Sequence, residues 1–197
     1  MIGGQSSIRL YLGRTSAYDH RVQAALVLTV IGRDRPGLVE RLATLVADHG
    51  GNWLESRMSR LGGEFAGILR LTLPDEREEP LRRALLALGP SGLTILIKRD
   101  DTPPPVALRL VMLELVGQDR PGIVRQITAA LAARHANVEE LTTECVSAPM
   151  SGEPLFKASA RLALPPGCEL AQIREDLERI ASDLLVDIDV QPLSVPA

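Results

Sequence analysis

Two nine-residue stretches carry the residue types best suited to chemistry. Ile31 to Val39 reads IGRDRPGLV, and Val116 to Val124 reads VGQDRPGIV. Six of the nine positions are identical, and two of the other three exchange one aliphatic residue for another. Each stretch sets an aspartate, an arginine, a proline and a glycine in a row, directly ahead of an apolar helical pattern. The corner has two readings. In the structural one, Asp34 caps the helix, Pro36 opens it, and Gly32 and Gly37 ease the turn. In the functional one, the first helical N–H groups, those of Gly37 and Leu38, lack an intrahelical acceptor and favour a carboxylate. Gly37 has no side chain to block approach, and the Asp34 carboxylate can accept from an ammonium. Together these groups would hold both ends of a free amino acid. Asp119, Pro121, Gly122 and Ile123 repeat the arrangement. Asn52 and Asn137 each follow a first helix, and read either as further contacts or as left-handed turn residues. Arg35 and Arg120 either clamp a carboxylate or lie on the surface.

The elements that position these corners repeat as well. Ala25 to Gly32, ALVLTVIG, is short and aliphatic and reads as a strand. Leu26, Leu28 and Val30 share one face while Val27, Thr29 and Ile31 share the other, so burial on both faces is expected. Leu38, Leu42, Leu45 and Val46 then recur at helical spacing, and HGGN at 49–52 stops the helix. Trp53 to Leu61 and Phe65 to Pro74 read as two strands joined by a Gly62-Gly63 hairpin turn. A second helix is expected from about Glu78 to Leu88, with a closing strand at Leu93 to Lys98. The second unit runs the same course: a strand at Leu108 to Gly117, a helix lined by Ile123, Ile127 and Leu131, then strands within 134–146 and 155–165. A helix through Leu170, Ile173, Leu177 and Ile180 and a strand at Leu184 to Val190 complete it. The offset between units grows from 85 to 91 residues across the hairpin, where SAPMSGEP at 147–154 makes a longer loop expected to be mobile.

The order β-α-β-β-α-β, twice over, predicts an α+β chain of two ferredoxin-like units, each an antiparallel sheet with both helices on one face. The expected layout is an arm at 1–23, a first unit at 24–99, a proline-rich spacer at 100–106, a second unit at 107–192 and a tail at 193–197. The arm lacks the uninterrupted apolar core of a secretory signal. The open sheet faces call for a cover; the twin unit is the nearest candidate and a second chain the next, and a homodimer of these chains is expected.

Bulk properties exclude several classes. Net charge is −3 over 197 residues, and Lys98 and Lys157 are the only lysines. No basic field is available for a phosphate backbone, so direct nucleic-acid binding is not expected. No apolar run is long enough to cross a bilayer. Aromatic residues make up 3% of the chain, too few for the base-stacking platform that RNA-binding modules build on this fold. Cys145 and Cys168 have no CxxC partner, and His20, His49 and His135 offer no ligand spacing, so neither metal nor cofactor is expected. Free thiols suit the cytoplasm. No nucleophile elbow, P-loop or HExxH motif appears, and no catalytic constellation emerges.

At the G-x-D-R-P-G-[LI]-V corners and the surrounding LVLTVIGRDRPGLVERLATLVADHGGNWLESRMSRLGGEFAGIL, the chain resembles ACT domains, small amino-acid-sensing modules of metabolic regulation. The resemblance covers about residues 24–191. A tandem pair without an attached enzyme is similar to the glycine cleavage system transcriptional repressor family, although formyltetrahydrofolate deformylases and nitrogen-sensing uridylyltransferases have similar corners. The resemblance implies effector sites at Asp34, Arg35, Pro36, Gly37 and Leu38, and at Asp119, Arg120, Pro121, Gly122 and Ile123. It implies glycine as the signal, and action on transcription through a partner protein, such as an activator, rather than through DNA. The alternative is a ligand-free scaffold of the same fold, or a regulator of an amino-acid or one-carbon enzyme.

Overall fold

The computed structural model describes residues 23–101, 108–148 and 152–193, and the chain divides between Pro103 and Pro104 into two compact units. The arm at 1–22, the spacer at 102–107, the loop tip at 149–151 and the tail at 194–197 lie outside the described residues. The first unit runs β1 (Gln23–Arg33), α1 (Leu38–Asp48), β2 (Asn52–Leu61), β3 (Glu64–Pro74), α2 (Glu78–Leu86) and β4 (Leu93–Arg99). The second runs β5 (Arg109–Gln118), α3 (Ile123–Ala133), β6 (Asn137–Ser147), β7 (Pro154–Leu164), α4 (Leu170–Leu184) and β8 (Val186–Pro192). Each unit is one four-stranded antiparallel sheet, in the orders β2-β3-β1-β4 and β6-β7-β5-β8. This is the ferredoxin-like arrangement expected from the element order. The second helix of the first unit stops at Leu86, two residues short of the predicted end, and Leu88 is buried beyond it.

Hydrophobic alternation builds the core from one side. Leu26, Leu28 and Val30 of β1 and Leu69 and Leu71 of β3 are fully buried beneath Leu42 of α1 and Leu81 and Leu85 of α2. Burying one such leucine contributes about 1.5–3 kcal/mol. Val111, Leu113, Leu115 and Leu162 do the same beneath Ile123, Ile127, Ile173 and Leu177.

Within the single chain the opposite sheet faces are open. Thr29 is exposed and pairs laterally with Ile68 and Leu96, and Ile31, Ile68 and Leu96 are 46%, 54% and 60% exposed. At the positions of Thr29, Ile68 and Leu96 the second unit has Glu114, Ser159 and Asp189, with Ser159 Oγ donating to Glu114 Oε1 at 2.8 Å, while Val116 matches Ile31 and is 40% exposed. The centre of the outer face therefore carries aliphatic side chains in one unit and charged ones in the other.

Polar ties fix the helix ends. Glu78, buried at the start of α2, accepts from Arg82 at 2.9 Å and from Arg99 at the end of β4 at 2.6 Å. His49 and Arg134 occupy equivalent C-terminal positions of α1 and α3. His49 Nδ1 donates to the Leu45 carbonyl at 2.7 Å, and Arg134 pairs with Asp176 of α4 at 2.6 Å.

Gly32 and Gly117 leave room for the closing strand. A Cβ on Gly32 would collide with the Gly92 carbonyl, and one on Gly117 would lie 2.7 Å from Val186 Cα. Gly32→Ala and Gly117→Ala each destabilise by about 1–3 kcal/mol, read as lower melting temperatures. The Arg99 guanidinium, followed by Arg82, holds the Glu78 carboxyl below its ordinary value of 4.5 against opposing desolvation. The resulting stability is fully present above that value and is lost as pH falls through the lowered one. Glu78→Gln therefore costs about 1 kcal/mol at neutral pH, and a denaturant series toward acid shows the difference from wild type closing.

Candidate functional site

Each corner begins where a central strand ends. Asp34 N–H donates to the Gly63 carbonyl at 3.0 Å, and Asp119 N–H donates to the Pro154 carbonyl at 3.1 Å. The hairpin thus holds the outgoing chain in both units. Pro36-Gly37 and Pro121-Gly122 then turn into the helix, with the glycines at φ +88° and +92°. This left-handed conformation suits glycine because a side chain there is strained.

The structure corrects the capping role expected of Asp34 and Asp119. Gly37 and Gly122 are the N-cap residues, α1 and α3 start one residue later at Leu38 and Ile123, and neither N-cap makes a side-chain cap bond. The first intrahelical bonds run from Arg41 N–H to Gly37 and from Gln126 N–H to Gly122. The N–H groups of Leu38, Val39 and Glu40, and of Ile123, Val124 and Arg125, therefore lack an acceptor within their helices. The space a Cβ would enter at Gly37 or Gly122 holds no atom within 4 Å.

Asp34 has a different partner. Its carboxylate lies 2.6 Å from Arg60 Nε at the end of β2. Arg35 donates to the Ser91 carbonyl at 2.7 Å, tying the corner to the turn before β4. In the second unit Cys145 stands where the first has Arg60, each paired in register with a phenylalanine, Phe156 or Phe65. Desolvation raises the Cys145 thiol above its ordinary value, and the neighbouring Asp119 carboxylate adds to the effect by charge and hydrogen bond. Arg120 donates to Gln118 Oε1, two residues back, at 3.1 Å. The Asp34 corner thus meets a cation where the Asp119 corner meets a neutral thiol.

Asn52 and Asn137 are not brought to these corners. They open β2 and β6 at the far ends of the first helices, about 16 Å along an 11-residue helix. Nor do they adopt the left-handed turn: Gly50 and His135 hold the positive φ values there. Arg60 and Cys145 are site neighbours that local sequence reading missed. The signal lies in strand register, which brings each beside its corner across a hairpin.

Residues 24–95 match the family model described as the ACT domain. That match lies within the first unit; the second unit repeats its topology and its Asp-Arg-Pro-Gly corner, so the chain resembles a tandem pair of ACT domains. It resembles the glycine cleavage system transcriptional repressor of Escherichia coli K12, at 28% identity over 169 residues, covering 82% of this chain and 86% of that protein. The crystal structure of an unknown protein from Galdieria sulphuraria is 32% identical, with a TM-score of 0.80 over 88% of this chain and 100% of the other. A crystal structure of a candidate glycine cleavage system transcriptional repressor shares the fold at 22% identity, with a TM-score of 0.65 over 88% of this chain and 99% of the other.

Among the described residues no group of three or more His, Cys, Asp or Glu side chains is placed to hold a metal ion, and no helix is long and apolar enough to cross a membrane. Both cysteines are free. The Asp119–Cys145 pairing is open to a direct check. Asp119→Asn increases the alkylation rate of Cys145 by iodoacetamide at mildly alkaline pH, measured against Cys168 in the same chain.

Proposed function

We propose that this chain is a non-enzymatic cytoplasmic regulator that senses a small amino acid and acts on transcription through contact with a regulatory protein. The supporting observation is the pair of glycine N-caps, Gly37 and Gly122, which offer no side-chain acceptor to the first amides of their helices. Such a start favours an anion, and an aspartate beside it can accept from an ammonium. The likeness to a glycine cleavage system transcriptional repressor makes glycine the first effector to try and a transcriptional activator the first partner to seek. Signalling would follow from differential binding: the amino acid stabilises one arrangement of the protein over another, and the partner reads that arrangement.

A specific observation favours a scaffold reading for the first corner. Asp34 is already engaged by Arg60, and Arg35 by the Ser91 carbonyl. The first unit would then serve structure or partner contact, leaving the second to sense.

Isothermal titration and thermal shift with the twenty amino acids test the proposal. The expected result is one class of amino acid binding, with a stabilisation of about 2.7 kcal/mol at a hundredfold excess over Kd. Asp119→Ala weakens that binding at least tenfold while Asp34→Ala leaves it within a factor of three. Absence of binding at millimolar concentrations of every amino acid would replace the sensor with the scaffold.

A further inference from the structure

The second unit contains an apolar cavity of about 30 Å³ between α3 and the β6–β7 strands. Leu113, Ile123, Ile127, Val138, Phe156 and Ala160 are among the side chains that line it. Val124 and Leu141, 41% and 45% exposed, also line it and open it to solvent. Thr128 contributes its methyl face, because its hydroxyl donates back to the Val124 carbonyl at 2.8 Å. The lining thus offers dispersion contacts and no hydrogen-bond partner.

The comparison between repeats shows where this space comes from. Ala160 stands where the first unit has the fully buried Leu69, each in register with the central-strand leucine Leu113 or Leu28. Val138 stands where the first unit has Trp53, paired with Leu162 and Leu71 respectively. Both smaller residues line the cavity, which follows the buried side of α3 from Ile123 and Val124 in its first turn, where the uncapped amides lie, to Leu131. A single water-sized group needs about 10–15 Å³, so the cavity has room for two or three carbons.

We propose that this cavity takes the side chain of the effector, so that the second unit selects a branched aliphatic amino acid over glycine. The inference rests on the sensing role proposed above and adds its specificity. The first unit, with Leu69 and Trp53 at the positions of Ala160 and Val138, lacks this selectivity.

The test is titration of the full chain with glycine, alanine, valine, leucine, isoleucine and aspartate, repeated on Ala160→Leu. That variant restores the first unit's own residue and keeps its packing chemistry. Valine, leucine or isoleucine is expected to bind roughly 50-fold tighter than glycine, from about three buried carbons. Ala160→Leu removes that preference. Methyl NMR of the wild type supplies an independent readout: the aliphatic ligand shifts Leu113, Ile123 and Leu141 more than the core leucines of the first unit. Glycine binding as tightly as valine, or Ala160→Leu leaving the preference intact, overturns the cavity's role while the sensing role stands. Failure of every amino acid to bind overturns both.

Discussion

Each unit turns from its central strand into its first helix through one glycine held near φ +90°. That single conformation lets the chain reverse within the proline-glycine pair and sets the helix start beside the strand it has just left. It also removes the need for a capping side chain. An aspartate or serine at the N-cap would accept from one of the first amides and so consume a donor. Glycine leaves those donors outward, and the helix is held instead by Leu38, Leu42 and Val46, or Ile123, Ile127 and Leu131, pressed onto the sheet. The stability of the helix start is thereby supplied by burial, and its polar end stays available.

Duplication kept this frame while the surfaces around it diverged. Adjacent residues on a strand point to opposite faces, so a unit can change its interior and its exterior independently. Ile68-Leu69 and Ser159-Ala160 show both changes in one dipeptide. The outer position goes from aliphatic to hydroxyl, and the inner one from a filled core to a void. A third change, Arg60 to Cys145, sits on the neighbouring edge strand, β2 or β6, and alters the charge that faces the corner aspartate. The two copies share a backbone and differ in what each can hold.

Much of this was legible in the sequence because it depends on local periodicity. The alternation of Leu26, Leu28 and Val30, the helical spacing of Leu38 and Leu42, and the doubled Asp-Arg-Pro-Gly corner suffice for the order of elements and the topology. What was not legible depends on residues far apart in the chain. Asp34 reads as a cap from its neighbours, yet a guanidinium from a different strand claims its carboxylate. Asn52 reads as a turn residue, but Gly50 already supplies the left-handed step two residues earlier. The second face of β1 is aliphatic in the sequence, but what lies over it is a matter of residues beyond that strand. The cavity escaped notice because it arises from small residues on two strands that become neighbours only through register.

The aliphatic outer face of the first sheet bears on how the halves behave when separated. Ile31, Ile68 and Leu96 expose aliphatic surface around Thr29, whereas Glu114 and Asp189 put hydrated charge at the matching place on the second sheet. Cut at the spacer, the amino-terminal half would be prone to clump and the carboxyl-terminal half to remain dispersed. Colloidal behaviour of the isolated halves therefore reports on this difference in face chemistry as well as on their folding.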